Sequence, residues 1–186
     1  MTRPKLWVAF DCESTGFPPQ GRLIEIAAVA FFPDGTEPFL PFQQFVRPPV
    51  PIPDEITELT GLTNDKVQHS DSAVEVLSQF RQWLPASATA VAHNLPFDLA
   101  ILATEHAVFA RELSRQAVDS LPIARVLGEF PNHRLTTIAR TLGLSTEGAH
   151  RALADARLVK QLVLHSFRRG LPAACPELFS TGGQND

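Results

Sequence analysis

The first two acids of interest stand at the end of an apolar run. In "VAFDCESTG", residues 8–16, Asp11 and Glu13 are two positions apart. Side chains alternate along an extended strand, so both carboxylates face the same side, with Cys12 on the opposite, core-facing one. Like charges at that spacing repel, and burying them is costly unless they are paired or hold a metal ion. The plainer alternative is an exposed strand end with solvated acids. "STG" then supplies two hydroxyls and a glycine backbone that can approach a ligand closely. A third acid, Asp98, lies in "AHNLPFDLAIL" (92–102), where an apolar stretch gives way to His93 and Asn94 before a helix opens at Pro96. A carboxylate in a first turn is favoured by the helix dipole, so Asp98 taken singly is structural. His93 reads as a satisfied core histidine and Phe97 as core packing. The third stretch, "EGAHRALADARLVKQL" (147–162), carries His150 and Asp155 across a helix entrance. A helix starting near Arg151 leaves His150 at its mouth, free to reach outward, with Asp155 one turn in. Taken singly, this is an ordinary surface helix with one acid.

These residues need a frame to bring them together. "LWVAFD" (6–11) and "LIEIAAVAFF" (23–32) are expected to be buried strands, with "PDG" (33–35) as a turn. "FLPFQQFV" (39–46) alternates and makes a third strand, with Pro41 at an edge or bulge. "RPPVPIP" (47–53) is extended. "DEITELTGL" is a short helix with Gly61 near its stop, and "SAVEVLSQFRQWL" (72–84) is an amphipathic one. "ATAVAH" (88–93) is a strand, 96–110 a helix and "AVDS" (117–120) a strand, with helices at about 121–127, 134–142 and 150–168. Strands first, then strands alternating with helices, make an α/β protein with a central mixed β-sheet flanked by helices. No internal repeat is present. The closing "STGGQND" (180–186) has nothing to bury and is expected to be disordered.

Composition narrows the class. A length of 186 residues suits one domain. No apolar run approaches the roughly 20 residues of a membrane span, and the apolar part of "MTRPKLWVAFD" is short for a signal peptide. Two cysteines, Cys12 and Cys175, make no disulfide framework and suit a reducing cytoplasm. The net charge of −4 argues at first against a nucleic-acid partner. The balance is uneven, however. Residues 1–120 hold 8 Lys/Arg and 15 Asp/Glu, a net of −7, whereas residues 121–186 hold 8 and 5, a net of +3. Divalent cations held by the acids would reverse the local field.

The joint order of the three stretches is more specific than any one of them. "FDCESTG", "HNLPFD" and "HRALADA" follow one another at distances that resemble the DnaQ-like, or DEDDh, 3′–5′ exonucleases, and the likeness covers about residues 6–168. "ELTGLT" (58–63) and "DSLPIARVL" (119–127) are also similar to that family's linking segments. The family's first motif usually has Thr where this chain has Ser14, and a hydroxyl is kept. The resemblance implies a ribonuclease H-like exonuclease fold; the exonuclease domain is expected over 1–172, with 173–186 as a flexible tail. It implies Asp11, Glu13, Asp98 and Asp155 as metal ligands and His150 as general base. It also implies that Ser14, Thr15 and Gly16 line a pocket for the terminal nucleotide, that Leu62 wedges against its base, and that Asn94 sits near the site.

Phosphodiester hydrolysis activates a water and stabilises charge on the departing oxygen, and a pair of divalent ions serves both needs. Hard oxygen donors suit Mg²⁺ or Mn²⁺. An imidazole, with an ordinary pKa of about 6.5, suits the general base. Arg134, Arg151, Arg157 and Lys160 are candidates for steering phosphates. The chain has no tyrosine, 13 Phe and 2 Trp, which argues for a short grip on single-stranded 3′ ends rather than a long stacking platform. DNA is preferred over RNA as the expected substrate, RNA 3′-trimming being the alternative. A DNA polymerase is a possible partner, although the chain ends soon after the last motif, which is expected of a stand-alone enzyme. "VAFDCEST" is faintly similar to the strand end of aspartyl-phosphate phosphatases, but Glu13 stands where those need a second Asp. A fold kept for protein binding alone would not need all five active positions filled.

Overall fold

The strand that carries the first acids is the middle one of five. In the computed structural model, which describes residues 4–181, β1 (Trp7–Ser14), β2 (Leu23–Phe31) and β3 (Phe42–Phe45) form an antiparallel meander. Helices α1 (Asp54–Thr60), α2 (Asn64–Val67) and α3 (Ala73–Trp83) follow, the last opened by a Ser72/Glu75 capping box. Then come β4 (Thr89–Ala92), α4 (Leu95–Ser114), β5 (Ala117–Asp119), α5 (Ser120–Leu127), α6 (Leu135–Thr141), α7 (Ala152–Arg168) and α8 (Leu171–Ala174). The sheet order is β3-β2-β1-β4-β5, with β4 and β5 parallel to β1. This is the expected mixed sheet, with a core on each face. Val8, Phe10 and Cys12 of β1 pack with Leu77 and Phe80 of α3 and Leu102 and Leu113 of α4. Trp7 and Ala9, on the other face, pack with Val159 and Val163 of α7. Asp11 and Glu13 continue this second row, so the alternation that buries the strand also aims both acids at α7.

Three boundaries differ from expectation. β1 does not stop at Asp11. β2 pairs with it along its whole length, Asp11 opposite Ala27 and Glu13 opposite Glu25, and a bulge falls only between Glu13 and Ser14. The helix expected over 96–110 runs from Leu95 to Ser114, broken at His106 (φ −157°, ψ 87°), whose Nδ1 accepts the Phe109 N–H at 3.1 Å and so caps the second half from within. The tail expected to be flexible from residue 173 is folded as far as Phe179. After α8, Pro176–Phe179 makes a 3₁₀ turn, and Phe179 is buried beside Trp7 and Phe167, with ring centroids 6.2 and 5.8 Å away. Burying one such ring stabilises by about 1.5–3 kcal/mol, enough to hold a short segment down. Residues 182–186 of "STGGQND" lie outside the described residues. Among the described residues, no helix is long and apolar enough to cross a membrane.

Candidate active site

Three acids converge between β1 and α7. One oxygen each from Asp11, Glu13 and Asp155 lie within 4.8 Å of one another. Helix α7 crosses β1 and β2, which carries Asp155 in its first turn up to the strand pair. The chain enters that helix through His150, held at φ +65°, and the His150 N–H donates to Asp155 Oδ2 at 3.1 Å. Asp155 Oδ1 is buried with no hydrogen-bond partner among the described residues. Asp98 stands beside the trio rather than within it. The ladder between β1 and β4 stops at Ala9–Val91. Beyond it, the Cys12 N–H is taken by Asp98 Oδ1 at 3.0 Å, from the first turn of α4. Asp98 is 3% exposed.

So many carboxylates cannot all ionise easily. Burial, then the charges of Asp98, Glu13, Asp155 and Glu25, hold Asp11 well above the usual carboxylate range. Glu13 is pushed up to about 8 by burial and by Asp155, Glu25 and Asp98, against a smaller pull from Arg151. Burial pushes Asp98 to about 8, with the Cys12 N–H opposing. Asp155 is raised by burial, with the His150 N–H and charge opposing. The buried Oδ1 without a partner, the convergent oxygens and the shared excess of negative charge fit a hard divalent cation.

Next to the acids is an apolar cleft. Phe17, Ile56, Leu59 and Phe97 line it together with Glu13, Ser14 and Gly16. The 14–21 loop that makes one side is closed on itself. Ser14 Oγ donates to the Gly16 carbonyl at 2.7 Å, and the Thr15 N–H donates to the Arg22 carbonyl while Thr15 Oγ1 accepts the Arg22 N–H. A Cβ on Gly21 would meet the Gly16 oxygen at 2.1 Å, so only glycine allows this closure. The Arg22 guanidinium then forks onto Glu105 of α4 at 2.8 and 2.7 Å.

A family profile for exonucleases of the RNase T type matches residues 8–163. The chain belongs to that exonuclease family. It is 35% identical over 165 residues to a DNA polymerase III PolC-type protein of Clostridium perfringens, and 34% identical over 166 residues to that of Bacillus subtilis. These alignments take in 88% and 87% of the chain but only 11% of each relative, so it corresponds to a small part of those proteins. Among solved structures, E. coli exonuclease I in complex with a dT13 oligonucleotide superposes with a TM-score of 0.82 at 17% identity, over 94% of this chain and 43% of that one. The nuclease domain of 3′hExo, a DEDDh family member bound to rAMP, superposes with a TM-score of 0.77 at 21% identity, over 91% and 94%. The sheet and its flanking helices are thus the ribonuclease H-like fold of exonucleases, and the chain is an exonuclease domain homologous to a segment of the PolC-type proteins.

Within this exonuclease domain, the residues expected at the site are placed unequally. Asp11, Glu13 and Asp155 converge, Asp98 adjoins them, and His150 is exposed at the mouth of α7. Ser14 and Gly16 reach the cleft, whereas Thr15 is buried in the loop closure. Leu62 is not at the cleft. Gly61 ends α1 in the left-handed conformation and turns the chain inward, leaving Leu62 fully buried with Ile24, Ile52 and Val67. Leu59, three residues earlier and 49% exposed, is the leucine that faces the acids' side. Asn94 forms the strand-to-helix turn before Asp98, at φ +67°, with its N–H donated to Asp119 Oδ1. His93 is satisfied as expected, bonded to Ser120 Oγ at 2.9 Å and to the His133 carbonyl at 2.7 Å. Phe97 is a wall of the cleft as well as core packing, edge-on to Phe17 at 6.0 Å.

Two of the four basic residues are committed to the fold. Arg151 pairs with Glu25, and Lys160 is buried, donating to the Gly35 carbonyl and to Glu37. Arg134 and Arg157 are exposed. Sequence reasoning passed over Glu25, a lone charge inside "LIEIAAVAF" that the fold buries completely. A charge in the middle of an otherwise apolar strand was the available signal.

Proposed function

We propose that this chain is a 3′–5′ exonuclease that hydrolyses phosphodiester bonds from the ends of single-stranded DNA, releasing nucleoside monophosphates. The observation that carries this reading is the convergence of Asp11, Glu13 and Asp155 beside an apolar cleft. In it, Asp11, Glu13, Asp98 and Asp155 hold a pair of divalent cations, Mg²⁺ or Mn²⁺. Such ions, when bound, acidify water and stabilise charge on the phosphate oxygens. The terminal base enters between Phe17 and Leu59, and Ser14 and Gly16 meet its sugar. That orients the last phosphodiester toward the acids. His150 accepts the proton of the attacking water as the new P–O bond forms, and the departing 3′ oxygen takes a proton from solvent. Its exposed place at a helix mouth lets it approach once the end is seated. Arg134 and Arg157 are left to steer the strand.

DNA is favoured over RNA by the relationship to DNA polymerase III PolC-type proteins and the likeness to an exonuclease I crystallised with dT13. RNA trimming is the second reading, favoured by the likeness to a 3′hExo domain bound to rAMP. The PolC relationship also makes a DNA polymerase the protein partner to test, and a cytoplasmic, nucleoid-associated setting follows from DNA as substrate. The test is digestion of 3′-labelled and 5′-labelled DNA and RNA strands side by side, with Mg²⁺ or Mn²⁺. The expected result is mononucleotides released at once from 3′-labelled DNA, a ladder shortening from the 3′ end of 5′-labelled DNA, and slower loss of RNA. Cleavage from the 5′ end, internal cleavage, or turnover in chelator would overturn the reading.

A further inference from the structure

We propose that Glu25 is a positioning residue of this active site, acting through Arg151 and the start of α7. The inference rests on the nuclease reading above and extends it to residues that touch neither the cleft nor the converging oxygens. Glu25 lies opposite Glu13 in the antiparallel register, on a strand buried at every residue. A carboxylate there is tolerable only if its lone pairs are filled. All four donors needed are present. Oε1 accepts from Gln43 Nε2 at 2.7 Å and Arg151 Nη2 at 3.1 Å, and Oε2 accepts from Arg151 Nε at 3.0 Å and the Ala152 N–H at 3.2 Å.

Two of these contacts bear on the site. The Ala152 N–H is one of the free donors at the start of α7, and Arg151, the residue before the helix, supplies no side-chain cap of its own. Glu25 therefore caps α7 from the neighbouring strand. The bidentate fork onto Arg151 fixes the residue next to His150 in direction as well as distance. The Arg151 guanidinium also lies over the Phe45 ring, 5.3 Å from its centroid, a second contact that favours the same placement. The segment so pinned holds His150 at φ +65° on one side and Asp155 three residues on. Without the pin, α7 keeps its hold on the core through Val159 and Val163, but its first turn is free to fray. Fraying would withdraw both His150 and Asp155 from Asp11 and Glu13.

Glu25→Gln and Arg151→Lys test this. The first exchanges an acceptor for a donor facing the guanidinium, and the second keeps the charge but removes the fork. Glu37→Gln is the control, because it breaks a different ion pair on the same helix, that with Lys160. We expect Glu25→Gln to lower Mn²⁺ affinity in calorimetry and kcat on a labelled oligonucleotide by about 10- to 100-fold each, the usual range for a partner that orients metal ligands. KM should stay within about threefold, since the cleft is untouched. Amide exchange should quicken at residues 150–155 and not at the centre of α7. Arg151→Lys, on a partly exposed side chain, should shift all three in the same direction, and it carries the test if Glu25→Gln does not fold. Wild-type kcat and Mn²⁺ affinity in the folded variants, or losses no larger than those of Glu37→Gln, would overturn the proposal while leaving the nuclease reading intact. Wild-type protein that binds no Mn²⁺ would remove both.

Discussion

Stripped of divalent ions, the domain should lose stability as the pH rises, and Glu13 should account for much of the loss. Glu13 is pushed from 4.5 to about 8 in the folded chain, by burial and then by the charges of Asp155, Glu25 and Asp98. A raised carboxyl keeps its proton in the folded state after the unfolded chain has released it. Its contribution to stability is therefore full below the unfolded value and is lost as the pH climbs through the folded one, here from 4.5 to about 8. At about 1.4 kcal/mol per unit the shift sets a ceiling of about 5 kcal/mol. The three converging acids keep some contact with solvent, which screens part of the effect, so roughly half, about 2–3 kcal/mol, is the working figure. For a domain of this size that is a fall in Tm of roughly 5–10 °C. His93 runs the other way, since burial lowers its pKa and its contribution is lost as the pH falls. The informative quantity is therefore the difference between wild type and Glu13→Gln, in which His93 cancels. Calorimetric melts in chelator from about pH 5 to about pH 8 should show the wild-type Tm falling by that much more than the variant's. Mn²⁺ should then raise the wild-type Tm more at the upper end, where protons no longer compete for the oxygens. Parallel Tm curves for the two proteins would mean that Glu13 does not titrate out of its ordinary range in the fold.

Two further substitutions separate chemistry from packing. His150→Ala should reduce kcat by roughly 100- to 10,000-fold, the range for losing a general base, with Mn²⁺ affinity unchanged by calorimetry. Near-normal single-turnover hydrolysis would remove His150 from that role. Leu62→Ala should cost about 2–5 kcal/mol of stability through the cavity it leaves and leave the KM for a single-stranded end alone. Leu59→Ala should do the reverse, and a matched loss of Tm in both would contradict the assignment of Leu59 to the cleft.

What could be read from the sequence depended on how local the signal was. Period-two alternation put Asp11 and Glu13 on one face, and the structure sends that face to α7. The helix entrance at Arg151 was legible from the change in periodicity, and with it the relation of His150 to Asp155. The wedge residue was not, because Leu59 and Leu62 are both leucines of one short segment. Only the left-handed turn at Gly61 decides which of them is buried. The folded C-terminal turn was hidden for a similar reason, since Phe179 has no periodic neighbours and its partners Trp7 and Phe167 are remote in the chain. Glu25 is the clearest case. One charge in an apolar strand announces that something must neutralise it, but Gln43 and Arg151 come from two other elements. Asp98 is a fourth ligand only by the family resemblance; what the structure shows is that the ladder's early stop at Ala9 makes it the acceptor for the Cys12 N–H.

In the proposed mechanism these acids form one cation site. Crystals soaked in Mn²⁺ and measured for anomalous scattering test it most directly. Anomalous peaks are expected among the carboxylates of Asp11, Glu13 and Asp155, with Asp98 alongside, and are expected to be lost in Asp155→Asn. Saturating Mn²⁺ with no peak at those oxygens would contradict it.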